Sequence, residues 1–432
     1  MERLRAVVVL TGSELVRGDK ADANGAFLAR ELTRLGLEPV RILVVGDDPD
    51  ELGAVVREGL EADVCVLSGG LGPTHDDRTV ESLARESGRP LLVDERLERE
   101  IESVSRSVAE RLGRPYADFV PGVRKQASLP DGAVSLGLAG TAPAVLLERN
   151  GRVAIALPGP PAELRRLWPR VVASGPFERV VARAERPQHT VLRLFGPSES
   201  AVARVLEEQG GEGEGLDVTV CAQDLEIRVD LFARGGGEHR VEDVVAALRD
   251  RFAREVFAED ERTVGELVLG RCRELGLRLA TAESCTGGLV GARLTDVAGA
   301  SEAYAGGVVA YSDELKTRLL GVRPETIARH GAVSAETARA MADGARAALG
   351  ADVAVAVTGV AGPGGGTTEK PVGLVYVHAA APTGEEAQEL RIPGDREAVR
   401  ARATAISLHT LRRLLTRSGT DARESAEERW GP

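Results

Sequence analysis

Short apolar runs alternate with amphipathic stretches along the first 168 residues. Val7-Val-Val-Leu10 reads as a buried strand, and residues 24–35 put Phe27, Leu28, Leu32 and Leu35 on one helical face that Gly36 ends. Val40-Arg-Ile-Leu-Val-Val45 is the next strand, Asp48-Pro49 opens a helix over 51–60, and Asp63-Val-Cys-Val-Leu67 runs into a glycine turn. Strands alternating with helices imply parallel βαβ units. The pattern therefore predicts a three-layer α/β domain over 1–168, closing through Arg152-Val-Ala-Ile-Ala-Leu157 near Trp168.

From 177 to 257 the pattern changes. Thr190-Val-Leu-Arg-Leu-Phe195 is a strand, Ser198 caps a helix reaching residue 209, residues 218–232 fold as two strands around Gln223-Asp224, and 239–257 is a helix. Gly210-Gly-Glu-Gly-Glu-Gly215 is expected to be a flexible loop. This is a small α+β connector without recognisable chemistry, suited to arranging its larger neighbours.

The α/β rhythm returns over 263–415. Helices are expected at 264–275, 288–295, 313–320, 335–349 and 396–415, and strands at 278–281, 307–311, 352–358 and 372–377. A second three-layer α/β domain follows from that order, with a polar, disordered tail over 417–432.

Composition narrows the function classes. At 432 residues the chain has room for about three domains. Its 43% hydrophobic and 28% charged content is that of a globular protein. The first apolar run is too short for a signal peptide, and none approaches membrane-spanning length, so a cytoplasmic protein that touches no membrane is expected. A net charge of -12 argues against direct nucleic-acid binding, though backbone amides can still hold a small anion. Cys65, Cys221, Cys272 and Cys285 form no CxxC pair, which argues against a disulfide framework or a zinc knuckle. Of 55 basic residues only Lys20, Lys125, Lys316 and Lys370 are lysine. Against so strong an arginine bias, a retained lysine is a candidate for work that needs an ammonium able to lose its proton.

Three strand ends of the last domain carry suggestive chemistry, because ligands in parallel sheets sit beyond the carboxyl ends of strands. In Thr281-Ala-Glu-Ser-Cys-Thr-Gly-Gly288, Ser284 lies between strand and helix, where outward-pointing amides could stabilise an oxyanion; alternatively Ser284 is a helix N-cap. In Tyr311-Ser-Asp-Glu-Leu-Lys316, Tyr311 closes a strand and Lys316 falls in the first helical turn, where the helix dipole should lower its pKa and suit it to general-base work. Alternatively Tyr311 packs at a sheet edge and Lys316 lies in water. The third is the glycine loop Thr358-Gly-Val-Ala-Gly-Pro-Gly-Gly-Gly366 with Glu369-Lys370-Pro371, which could bring amides to a phosphate. Cys285 is an alternative nucleophile, but no histidine lies in these loops to activate it.

Taken together these stretches resemble the carboxy-terminal domain of the CinA family (competence/damage-inducible protein A), whose members include nicotinamide mononucleotide deamidases. The matching segments are Ala282-Glu-Ser-Cys-Thr-Gly-Gly288, Gly306-Gly-Val-Val-Ala-Tyr-Ser312, Gly331-Ala-Val-Ser334, residues 358–367, Glu369-Lys-Pro-Val-Gly373 and Gly394-Asp-Arg396 with Arg400. The resemblance implies Ser284 as nucleophile, with Lys316 and Tyr311 moving protons and Thr358 in the same site. It places Thr286, Gly287, Gly288, Gly359, Gly362, Arg396 and Arg400 around the substrate, with Arg396 or Arg400 on its phosphate. It implies neither metal nor organic cofactor for deamidation, and it suggests a homodimer with the connector near the interface.

In the amino-terminal domain, Ser68-Gly-Gly-Leu-Gly-Pro-Thr-His-Asp-Asp77 leads a strand into a glycine turn able to cradle phosphate. Asp76 and Asp77 could hold a hard divalent ion, or could simply favour the positive end of the next helix; His75 reads as a loop residue. Gly12-Ser-Glu-Leu15 through Asp22-Ala-Asn24 could close the same cleft. Residues 1–168 resemble the CinA amino-terminal domain, itself similar to molybdopterin-binding domains. Some members hydrolyse ADP-ribose with a divalent metal (Mg, Mn or Co) and a monovalent cation. That resemblance places Glu14, Asn24, Gly69, Gly70, Gly72 and Thr74 at a nucleotide site and Asp76 and Asp77 on the metal. The family's Gly-Thr-Glu-Leu-Leu is here Gly12-Ser-Glu-Leu-Val16, its Asp-Thr-Asn is Asp22-Ala23-Asn24, and its Asn-Arg-Lys-Gln is Val123-Arg-Lys-Gln126. The expected function is deamidation of nicotinamide mononucleotide for NAD salvage, with ADP-ribose hydrolysis as a second activity. The alternatives are a molybdopterin-binding or cofactor-assembly protein, and a non-catalytic adaptor linked to competence or DNA damage.

Overall fold

The computed structural model describes residues 3–213 and 215–427, with side chains through 417. The chain divides into two compact units, Met1–Gln188 and His189–Pro432.

In the first unit the strands are β1 (Arg5–Thr11), β2 (Glu38–Val45), β3 (Val64–Ser68), β4 (Leu91–Val93), β5 (Ser128–Pro130), β6 (Ala133–Leu138), β7 (Pro143–Arg149) and β8 (Arg152–Leu157). The main sheet runs β2-β1-β3-β8-β7-β6, and β4 and β5 pair separately. Strands β2, β1, β3 and β8 are parallel, but β7 and β6 run antiparallel to their neighbours, so the expected parallel sheet is mixed. The cause is local. Asn150 and Gly151 both take positive φ and close a two-residue hairpin between β7 and β8. Alternate residues of β1 serve the two faces: Val8 and Leu10 pack with Leu28, Leu32 and Trp168, whereas Val7 and Val9 pack with Leu52, Val56 and Leu83. Helices cover both faces, giving three layers. The helix Glu95–Leu112, capped by Asp94, was not foreseen from the sequence.

The second unit opens with β9 (Gln188–Phe195), β10 (Leu216–Gln223), β11 (Glu226–Ala233) and β12 (Val256–Ala258), in the order β10-β11-β9-β12. Ser198 caps the helix Glu199–Glu208 by accepting from Ala201 N at 3.2 Å. The helix expected to reach residue 257 stops at Arg251; Val256 and Ala258 pair with β9 as an edge strand instead. Within the expected flexible loop 210–215, Glu214 lies outside the described residues. Both helices cover one face of this sheet, through Val202, Val205, Val241, Val244 and Leu248. The opposite face meets the last helix at His409, which is fully buried. Its ring stacks on Phe195 at 3.8 Å and meets Phe257 edge-on at 4.6 Å, and its Nε2 lies 3.0 Å from Glu226 Oε1.

The remaining strands are β13 (Leu279–Glu283), β14 (Tyr304–Val309), β15 (Val353–Gly359), β16 (Leu374–Ala381) and β17 (Gly384–Arg391), ordered β14-β13-β15-β16-β17. The first three are parallel and the last two antiparallel. Leu279, Val353, Val355 and Val377 face the helices Val264–Leu275 and Arg396–Glu427, while Ala280, Ala282, Ala354 and Ala356 face Met341, Ala342 and Leu320. The last helix continues through Glu427 rather than ending at 415. Of the expected tail, 428–432 lie outside the described residues. Among the described residues no helix is long and apolar enough to cross a membrane.

Candidate functional site

Because β14, β13 and β15 lie parallel and adjacent, their carboxyl ends face the same way and bring Tyr311, Ser284 and Thr358 to one end of the sheet. Ser284 directly follows β13, is buried, and ties its N–H to Val357 O at 2.9 Å. Tyr311 does not close a strand, since β14 ends at Val309. Ala310 N still bonds Glu283 O, and the chain then turns into Ser312, whose Oγ caps the helix Asp313–Leu320 by accepting from Leu315 N at 3.2 Å. Tyr311 is therefore exposed, and its hydroxyl accepts from Arg396 Nη2 at 2.7 Å.

The amides at the start of the following helix are already taken. Glu283, 2% exposed, turns its carboxylate onto the start of the helix Leu289–Thr295. Its Oε2 accepts from Gly288 N (2.9 Å), Val290 N (3.1 Å) and the Thr286 hydroxyl (2.7 Å), and its Oε1 from Gly291 N (2.8 Å). Nor is Ser284 an N-cap: Gly288 occupies that position at φ +100°, and Glu283 satisfies the orphan donors. Glu283→Ala should leave three amides and a hydroxyl unpaired at a buried site and destabilise the protein by at least ~3 kcal/mol. An unchanged Tm in thermal denaturation would refute this anchoring role.

Lys316 stands apart from the other three lysines. Lys20 pairs with Glu14 at 3.3 Å, Lys125 donates to Thr74 O, and Lys370 Nζ donates to His330 O at 2.6 Å. The Lys316 side chain is only 2% exposed, with Asp313 Oδ1 at 3.7 Å. Its pKa is lowered, as expected, but burial rather than the helix dipole is the main cause; Asp313, and more weakly Cys285 and Tyr311, oppose it. Lys316 lies on the helix that follows β14, and the Ala310 N–H on Glu283 O joins that connection to the end of β13, where Ser284 begins. Burial pushes the Cys285 thiol up to about 12, which makes it inert as a rival nucleophile.

Thr358 is buried and donates to Ala332 O at 2.8 Å, so its hydroxyl fastens the 331–334 segment. The glycine loop is tied back on itself rather than open. Gly373 N reaches Val360 O at 2.8 Å, Thr367 N reaches Lys370 O at 2.9 Å, and Gly362, at φ +83°, gives its carbonyl to Arg396 Nη1 at 2.8 Å. At Gly359 a side chain would meet Val375 across the β15–β16 pair. Arg400, half-buried, donates to the carbonyls of Cys285 (3.2 Å) and Thr286 (2.9 Å).

The first unit has its own cleft, of about 690 Å³. Glu14, Asn24, Gly69, Gly70, Gly72, Asp76 and Asp77 all line it. Gly69 and Gly70 take positive φ, and a methyl on either would lie 2.4 Å from Thr11 O or Thr79 Oγ1, so only glycine fits this turn. Asn24 donates to Ser68 Oγ (3.0 Å) and Gly159 O (2.8 Å), leaving its buried Oδ1 unpaired. Asp76 and Asp77 do not cap the following helix: Asp76 accepts from the Thr74 hydroxyl, which holds it below the usual carboxylate range, and Asp77 Oδ2 accepts from Thr74 N at 2.9 Å. Among the described residues no group of three or more His, Cys, Asp or Glu is placed to hold a metal.

Residues 261–415 match the CinA C-terminal domain family, and residues 7–176 match the family described as "Probable molybdopterin binding domain". The CinA-like protein of Mycolicibacterium vanbaalenii is 43% identical over 426 residues, spanning 96% of this chain and 99% of that protein. The CinA-like protein of Mycobacterium tuberculosis is 40% identical over 426 residues, or 95% and 97% of the two chains. Among solved structures, the competence/damage-inducible protein CihA from Agrobacterium tumefaciens is 41% identical, covering 37% of this chain and 99% of that one, with a TM-score of 0.34. With its two family domains in order and such identity along almost its whole length, the chain belongs to the CinA family.

Proposed function

We propose that the carboxy-terminal site hydrolyses the carboxamide of nicotinamide mononucleotide, giving nicotinate mononucleotide and ammonia. The observation that carries this reading is a desolvated amine, Lys316, on the helix that follows β14, the strand paired in parallel with the one that leads into Ser284. Ser284 Oγ adds to the carboxamide carbon while its proton passes to neutral Lys316. The tetrahedral intermediate collapses, the C–N bond breaks, and the proton leaves with the amine as ammonia. Water then adds to the acyl ester, returning Ser284 Oγ its proton and freeing the acid. Arg396 donates to the Tyr311 oxygen, so the phenol O–H stays free to relay the single proton from Lys316 to the leaving nitrogen and to regain it from Lys316. Exposed Arg396 keeps further N–H groups for the nucleotide phosphate.

Ammonia release from nicotinamide mononucleotide by the purified protein tests the reading. No step needs a metal, so release should continue at an unchanged rate in excess EDTA. A rate that falls on chelation and returns with a divalent ion would overturn the metal-free mechanism.

For the amino-terminal cleft we propose nucleotide binding, with ADP-ribose as ligand, supported by the glycine turn and the cleft's size. Asp76 and Asp77 are too few donors for a resident ion, but they fit one that completes its shell with substrate phosphate oxygens. Such an ion would polarise the pyrophosphate.

A further inference from the structure

The turn that carries Ser284 is gripped from two sides. Glu283 holds its far end through the amides of Gly288, Val290 and Gly291. Arg400 holds its near end, with Nε on the Cys285 carbonyl at 3.2 Å and Nη2 on the Thr286 carbonyl at 2.9 Å. Between the two grips Gly287 takes φ +62°, a left-handed conformation that favours glycine.

These contacts decide which donors remain for chemistry. Gly287 N is used on Ser284 O at 3.1 Å, and three of the next amides serve Glu283. The amides of Cys285 and Thr286 donate to no oxygen or nitrogen among the described residues; the Cys285 sulfur beside them is a weak acceptor. A trans peptide is planar, with C=O and N–H on opposite edges. A cation on the Cys285 carbonyl therefore both orients and polarises the Thr286 N–H.

We infer that Arg400 is a positioning residue for the oxyanion and not the ligand of the nucleotide phosphate. It fixes the Cys285–Thr286 peptide so that the N–H groups directly after the nucleophile receive the negative oxygen of the tetrahedral intermediate, the arrangement common to strand-to-helix nucleophile turns. The inference rests on the deamidase reading and refines it: half-buried Arg400 spends its Nε–Nη2 edge, which could grip a phosphate with two prongs, on two backbone carbonyls, whereas Arg396 is exposed and keeps its Nε.

Steady-state kinetics of the full chain, Arg400→Lys and Arg400→Ala separate the two roles, using nicotinamide mononucleotide and its phosphate-free riboside. The expected result is a fall in kcat of roughly 10-fold to 10²-fold, equal for both substrates and with KM nearly unchanged, below the cost of losing an oxyanion donor outright. A raised KM for the nucleotide alone, with kcat kept and the riboside unaffected, overturns the inference. Should Arg400→Ala unfold, Arg400→Lys still answers, since it keeps the charge and loses the two-pronged grip. Acylation of Ser284 by p-nitrophenyl acetate gives a readout independent of nucleotides. Slowed acylation by Arg400→Lys in a protein inert towards the nucleotide upholds the clamp and refutes the deamidase reading. Unchanged acylation refutes the clamp, and a parent protein that neither turns over nor acylates refutes both.

Discussion

Ser284→Ala should reduce ammonia release from nicotinamide mononucleotide to background, a loss of at least about 10⁴-fold, on the scale seen when a hydrolase loses its nucleophile. The fold has little stake in this hydroxyl. No hydrogen bond ties it to a described side chain, and the turn is held by Glu283, Arg400 and the Ser284 N–H, all of which survive the substitution. The variant should therefore melt like the parent and still bind the nucleotide, as calorimetric titration would read. Turnover near the parent rate would mean that another group attacks. Cys285 is poorly placed to be that group, with its thiol pushed up to about 12.

The second large effect belongs to Lys316. Lys316→Arg should slow turnover by roughly 10²-fold to 10⁴-fold, the range lost with a general base, because guanidinium does not give up its proton. The pH profile gives the sign. Neutral Lys316 is the active form, so the rate rises with pH as the ammonium deprotonates. Burial lowers that pKa from the 10.5 usual for lysine, which places the acidic limb below 10.5. In Lys316→Arg that limb should vanish together with the activity. A variant with near-parental rate and an intact limb would reduce Lys316 to an electrostatic role.

Much of the carboxy-terminal site was legible because its parts are contiguous in sequence and end on parallel strands. Ser284, Tyr311 and Thr358 each lie within two residues of a strand's last position or on it, and hydrophobic periodicity finds such ends. What the sequence did not reveal is who holds whom. Glu283 stood in the quoted motif without a role, because its reach onto amides five to eight residues later appears only once the chain turns. Arg400, offered by the resemblance for the phosphate, donates to the Cys285 and Thr286 carbonyls, contacts that no sequence spacing reveals. The polar edge strand β17, Gly-Glu-Glu-Ala-Gln-Glu-Leu-Arg, has no apolar pattern to mark it, since an edge strand in water needs few apolar residues. The β7–β8 hairpin, by contrast, had a clear signal in Asn150-Gly151 that the βαβ reading passed over.

The seat of His409 makes the second unit acid-sensitive at one seam. Burial pushes this imidazole down to about 4, so it stays neutral against Phe195 and Phe257 while the same histidine in an unfolded chain would take up a proton near 6.5. Between those values the unfolded chain binds the extra proton, and every step of acidification withdraws stability until the folded ring titrates as well. The four-stranded sheet thus acts as a lid on the closing helix of the carboxy-terminal domain. A chain cut near residue 260 would lift that lid, wet the imidazole and return it to ordinary titration, trading the acid-labile seam for an exposed apolar face.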